Sequence, residues 1–224
     1  MQKALLFGAI GTLVETSDLQ RRAFNKAFIE LGLDWFWDAP TYADLLKRSG
    51  GTQRVAAFAE ELHEHVDAEA VHAAKVAIFD EMIRRDGLTL RNGVRDVVGA
   101  AQAQGLLVGF ATSTGQAQID AIFAALGDEL DRDVFDFIGD KSMVVRGKPD
   151  PAIYQTALQQ LGISAAEAIA IEDSPESAAA ALAAGLTTYV TPGALHVDHD
   201  FPADAIVLSS LSPDILEQQQ IAAE

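Results

Sequence analysis

From Gly93 onward, short apolar runs take turns with helical stretches, and this alternation limits how the chain can fold more than any other feature of it. The spacing predicts helices over 94–104, 116–126, 151–161 and 175–184. Between and after them it predicts strands over 106–111, 134–138, 168–171, 187–190 and 205–208, with a terminal helix from Pro213. Strands separated by helices cannot pair as hairpins; they lie parallel, and a parallel sheet needs helices on both faces. Residues 3–7 read as one more buried strand. The chain after that strand is helical only, over 17–33, 41–47, 52–64 and 68–85, with apolar residues three and four apart. The fold class is therefore α/β: a Rossmann-like parallel-sheet core of residues 1–14 and 88–224, with an all-helical cap domain, 15–87, inserted after the first strand. Such an insertion can act as a lid.

Composition narrows the function. A formal net charge of -17 over 224 residues gives no Lys/Arg cluster for a phosphate backbone, so no nucleic acid and no anionic membrane surface is expected as partner. With no cysteine there is no disulfide, no thiolate metal site and no cysteine nucleophile. The first apolar stretch is too short and wrongly flanked for a signal peptide, and no later one runs long enough to span a bilayer. A cytoplasmic location is the expectation.

Four spots fall at the carboxyl ends of expected strands, where an open parallel sheet binds its ligands. Gly8 to Thr12 form a tight exit from the first strand. Thr112, Ser113 and Thr114 can hold phosphate oxygens at a helix start, or act as ordinary caps. Lys148, in GKPDPAIY, is either a phosphate-binding point charge or a solvated lysine before a proline-started helix. Glu172 and Asp173 are adjacent carboxylates that suit Mg²⁺, unless Asp173 only caps the next helix. The HVDHD segment (His196, Asp198, His199, Asp200) reads as a solvated loop in preference to a metal site. His63, His65 and His72 read as exposed cap residues, and Trp35 and Trp37 as cap core.

Taken in order, LLFGAIGTL, FATST, Lys148 of GKPDPAIY and IEDSPESAAAALAAG resemble the four motifs of the haloacid dehalogenase superfamily. The cap segment GLDWFWDAPTYADLLKRSGGTQRVAAF resembles more narrowly that of the CbbY-type sugar-bisphosphate phosphatases, as do KPDPAIY and YVTPG. The resemblance covers nearly the whole chain. It implies a Rossmann-like core, a helical cap and Mg²⁺-dependent phosphate-ester hydrolysis through an aspartyl-phosphate.

The same resemblance exposes what is missing. The family's first motif reads Asp-x-Asp-Gly-Thr, and this chain has Gly8-Ala9-Ile10-Gly11-Thr12. Gly8 stands at the nucleophile position and Ile10 at the acid/base position, and neither carries a group able to attack phosphorus or move a proton. Glu15 is no substitute, since the CbbY-type pattern already has an acid there. Ser17 and Gln20 also stand where that pattern has Glu and His. What remains is a phosphate cradle of Thr112, Ser113 and Lys148, with Asp173 and Glu172 as a reduced set for Mg²⁺. Losing two carboxylates together with one divalent cation leaves the formal charge of such a site unchanged. The expectation is a protein of the phosphatase lineage that binds a sugar phosphate or inorganic phosphate with little parent activity, Lys148 pairing with Asp173 or Glu172 when empty. Two alternatives stay open: a Mg²⁺-dependent phosphohydrolase using another nucleophile, and an interaction protein working through its cap.

Overall fold

The computed structural model describes residues 2–8, 10–47 and 50–217. In chain order its elements are β1 (Ala4–Phe7), α1 (Ile10–Leu13), α2 (Ser17–Glu30), α3 (Ala39–Leu45), α4 (Gly51–Glu61), α5 (Ala68–Asp86), α6 (Val94–Ala103), β2 (Leu107–Ala111), α7 (Gln116–Leu126), β3 (Phe137–Gly139), α8 (Ala152–Leu161), β4 (Ala168–Glu172), α9 (Pro175–Ala183), β5 (Thr187–Val190) and β6 (Ile206–Val207). The chain divides into two compact units, residues 1–15 with 88–224 and residues 16–87.

The first unit is a six-stranded sheet in the order β3-β2-β1-β4-β5-β6, every pair parallel. Strand β1 is central: Ala4 to Phe7 pair with Leu107 to Phe110 on one side and with Ala168 to Ile171 on the other. All four of its residues are buried, as a strand covered on both faces requires. Side chains alternate across the sheet, so Ala4 and Leu6 join Ala168 and Ala170 against Tyr154, Ala157 and Leu158 of α8 and Ala180 and Ala181 of α9. The small residues at 4, 168 and 170 let those helices approach closely. After β3 the chain crosses β1 to place β4 on its other side, which opens a crevice at the carboxyl ends of β1 and β4.

The strand expected over 134–138 is displaced. Asp131 accepts a hydrogen bond from the Asp133 amide at 2.9 Å and starts a 3-10 turn over Arg132–Val134. The Asp136 carboxylate then takes the Val108 amide of β2 at 2.8 Å, so regular pairing begins only at Phe137. The strand expected over 205–208 is two residues long. At the C-terminus the predicted helix is a 3-10 turn, Pro213–Leu216, and its continuation beyond 217 lies outside the described residues.

The second unit is helical, α2 to α5, around an aromatic cluster of Phe24, Phe28, Trp35, Trp37, Tyr42 and Phe58. Asn25 closes a reciprocal pair with the Trp37 backbone, donating to its carbonyl at 2.9 Å and accepting from its amide at 2.8 Å. That satisfies buried polar groups that would otherwise cost stability. Trp35 and Trp37 are core, as expected, and His63 and His65 are exposed; His72 is half-buried, tucked beside Gly51 and Phe24. No helix among the described residues is long and apolar enough to cross a membrane.

Candidate functional site

The carboxyl ends of β1, β2 and β4 bring together most of the residues singled out above. Lys148 lies in the loop before α8 and is joined to Pro149 by a cis peptide bond. Its Nζ donates to the Gly8 carbonyl at 2.5 Å, to Glu172 Oε1 at 2.8 Å and to the Tyr154 hydroxyl at 3.2 Å. Tyr154 in turn donates to Glu172 Oε1. The Lys148 side chain is 7 % exposed and Glu172 is wholly enclosed, so this is a buried ion pair and not a solvated lysine.

This network stands where residue 8 would project. A Cβ added to Gly8 would lie 2.0 Å from the Tyr154 hydroxyl, 2.1 Å from Glu172 Oε1 and 2.3 Å from Glu172 Cδ. The volume in which a side chain at position 8 would begin is filled by a carboxylate from β4 and a phenol from α8. Ile10, the other position of interest, is buried at the start of α1; Ala9 lies outside the described residues.

Thr112 and Ser113 follow β2. The Thr112 hydroxyl accepts from the Thr114 amide at 3.1 Å and pairs with the Thr114 hydroxyl, so it shapes the turn into α7. Ser113 Oγ accepts from the Lys148 amide at 3.3 Å, which ties the second and third motifs together.

Burial pushes the Glu172 carboxyl up from its ordinary range; the Lys148 ammonium opposes this and the Asp173 charge adds to it. Asp173 is raised by burial to about 6, against the pull of Lys148 and Arg91 and with help from Glu15. The Tyr154 phenol is pushed well above its usual value by burial and by the Glu172 charge, so it keeps its proton and donates it to Glu172 while accepting from Lys148. Two acceptor atoms, Glu172 Oε2 and Asp173 Oδ1, are buried without a hydrogen-bond partner. Orphaned acceptors invite a cation, but the donor set is poor for Mg²⁺. Residues 8 and 10 offer no carboxylate, one oxygen of Glu172 is committed to Lys148 and Tyr154, and the described residues contain no group of three His, Asp or Glu arranged to hold a metal ion.

Four neighbours carry the site without having been singled out for it. Tyr154 fills the slot at Gly8. Arg91 clasps three carbonyls, Gly11 at 2.7 Å, Thr191 at 3.0 Å and Pro192 at 2.9 Å. Glu15 accepts from the Ala194 amide at 2.7 Å. His196 corrects the reading of HVDHD as wholly solvated: it is 7 % exposed, because its amide bonds the Gly193 carbonyl and turns the ring inward, where a Cβ on Gly193 would meet it. Tyr154 had a signal, since it ends the GKPDPAIY segment six residues after Lys148. The others depend on loop geometry that spacing does not encode.

Residues 2–185 match the family profile described as haloacid dehalogenase-like hydrolase. The protein CbbY of Cereibacter sphaeroides is 38% identical over 86% of this chain and 85% of its own length. A crystal structure of CbbY from Rhodobacter sphaeroides in complex with phosphate superposes with a TM-score of 0.83 at 36% identity, covering 94% of this chain and 95% of the other. A mutant of that protein, solved in complex with xylulose-(1,5)bisphosphate, matches with the same score, identity and coverage.

Proposed function

The chain belongs to the haloacid dehalogenase-like hydrolases, with CbbY among its relatives, and from that premise we propose that it binds a phosphate group without performing the family's phosphoryl transfer. The observation that carries this reading is the filled slot at Gly8. A carboxylate nucleophile there needs free volume next to the phosphate cradle, and Glu172 and Tyr154 occupy it. Family hydrolases generally use Mg²⁺, which neutralises the phosphate as it is attacked. Here Lys148 is the cation at that place, and Ser113 with the turn amides of the second motif supplies the hydrogen bonds. Binding exchanges one acidic partner of Lys148 for another, phosphate oxygens for Glu172. The ligand class is a sugar phosphate or inorganic phosphate, in keeping with what the CbbY structures hold.

The test pairs calorimetry with turnover. Inorganic phosphate and xylulose-1,5-bisphosphate should bind in metal-free buffer with Kd values between about 10 μM and 1 mM. Phosphate release from sugar phosphates and an aryl phosphate should stay at background with and without Mg²⁺. Metal-dependent release that disappears in Asp173→Ala would overturn the proposal in favour of a hydrolase with a different nucleophile. Absence of both binding and release would leave the cap-mediated interaction protein as the reading to pursue.

A further inference from the structure

A second cleft, of about 400 Å³, opens in the same unit at the ends of β5 and β6. Its lining contains none of Ser113, Lys148 or Glu172. One side is polar, with Arg91, Asn92, Thr191, Ser209 and Ser210; the other is apolar, with Leu90, Leu208 and Leu211 among its residues. In a chain with 33 Asp and Glu, no carboxylate lines it.

We propose that this cleft binds a small organic acid, its oxyanion head on Arg91, Thr191 and the start of α6 and its aliphatic body on the leucines. Three observations carry the assignment. All hydrogen bonds of the Arg91 guanidinium go to neutral carbonyls, and it forms no ion pair among the described residues, so its charge faces the cleft without a bound counter-charge. Asp173 feels that charge only at longer range. Thr191 is 6 % exposed, lines the cleft, and its hydroxyl has no hydrogen-bond partner among the described residues. That hydroxyl is not sealed from solvent, so it holds water at the cleft wall, and a ligand oxygen can take that water's place. Finally Val94, the first residue of the ten-residue helix α6, lines the cleft, and the Gly93 cap supplies no side chain to satisfy the helix start. The amides of Arg95 and Asp96 have no backbone acceptor among the described residues, so positive potential remains at that end despite the exposed Asp96 carboxylate.

The apolar half selects among anions. Inorganic phosphate satisfies the head alone, whereas a short-chain carboxylate also covers Leu90, Leu208 and Leu211. Hexanoate is therefore the probe, with hexanol as its neutral counterpart.

Backbone amide NMR on the full chain locates the response. Hexanoate added to about 20 mM should shift the amides of residues 93–96 and 209–211 progressively, with hexanol far weaker. Ser210→Asp places a negative charge on an exposed cleft residue and should weaken hexanoate binding about fivefold. Thr191→Val should also weaken it, and in both variants the spectrum itself reports whether the chain is folded. Lys148→Ala should leave the hexanoate response intact, which separates this cleft from the phosphate site whatever becomes of the latter. The proposal is overturned if those amides do not move, if hexanol moves them equally, or if folded Ser210→Asp and Thr191→Val bind hexanoate as the parent does.

Discussion

Glu172 and Lys148 hold each other in place, so their substitutions should pull in opposite directions. Lys148→Met leaves a buried carboxylate with only Tyr154 as donor, and breaking a buried pair in this way costs about 3–5 kcal/mol, to be read from denaturant unfolding. It should abolish phosphate binding as well. Glu172→Gln removes the internal competitor and one negative charge, and phosphate affinity should rise about tenfold by calorimetry. An unchanged or weaker affinity would mean that Lys148 does not face the ligand. The sequence disclosed this pair as alternatives, with Lys148 free or paired and Glu172 or Asp173 as its partner. Choosing among them required the positions of β4 and α8 around Gly8, which no spacing along the chain contains.

At the level of elements, periodicity was informative wherever burial has a regular rhythm. The helices from α2 to α9 and the strands β1, β2, β4 and β5 follow apolar spacing closely. Ahead of β3 the rhythm misleads because side chains compete with the ladder, as Asp131 and Asp136 do, and at β6 and Pro213–Leu216 the regular elements are shorter than the spacing predicts. Helix α5 carries one residue against its pattern. Lys75 is 3 % exposed, donates to Gln20 at 2.8 Å and lies over the Phe24 and Phe79 rings. Burial, with the nearby Arg54 adding to it and Asp80 opposing, lowers its pKa from 10.5 to about 8. In the folded chain it therefore gives up its proton more readily than in the unfolded one. Below pH 8 the folded state bears a cost of at most roughly 3 kcal/mol, and that cost disappears between pH 8 and pH 10.5, where the unfolded chain binds more protons. Lys75→Met should accordingly be more stable than the parent at pH 7, with the advantage shrinking as pH rises toward 10 in matched thermal melts. A gap constant with pH would mean that the ammonium is not desolvated in the native state.

Over the whole molecule the dominant electrostatic fact is the formal net charge of -17. Repulsion among exposed carboxylates opposes compaction and is screened over about 8 Å at physiological ionic strength. Tm should rise as NaCl is taken from low to physiological concentration, and a flat or falling Tm would indicate that paired surface charges outweigh the repulsion. The architecture was open to view in the sequence because the alternation of strand and helix fixes a parallel sheet, and the order of four short motifs identified which one. The candidate site was only half open. The absence of acids at Gly8 and Ile10 is plain in the sequence, but what fills the space they leave is a three-dimensional fact. That filling works as a ratchet. Gly8→Asp alone would drive a new side chain into a fully buried phenol and carboxylate, so any substitution that puts an acid at this position must first re-site Glu172 and Tyr154, and Glu172 cannot leave without stranding Lys148.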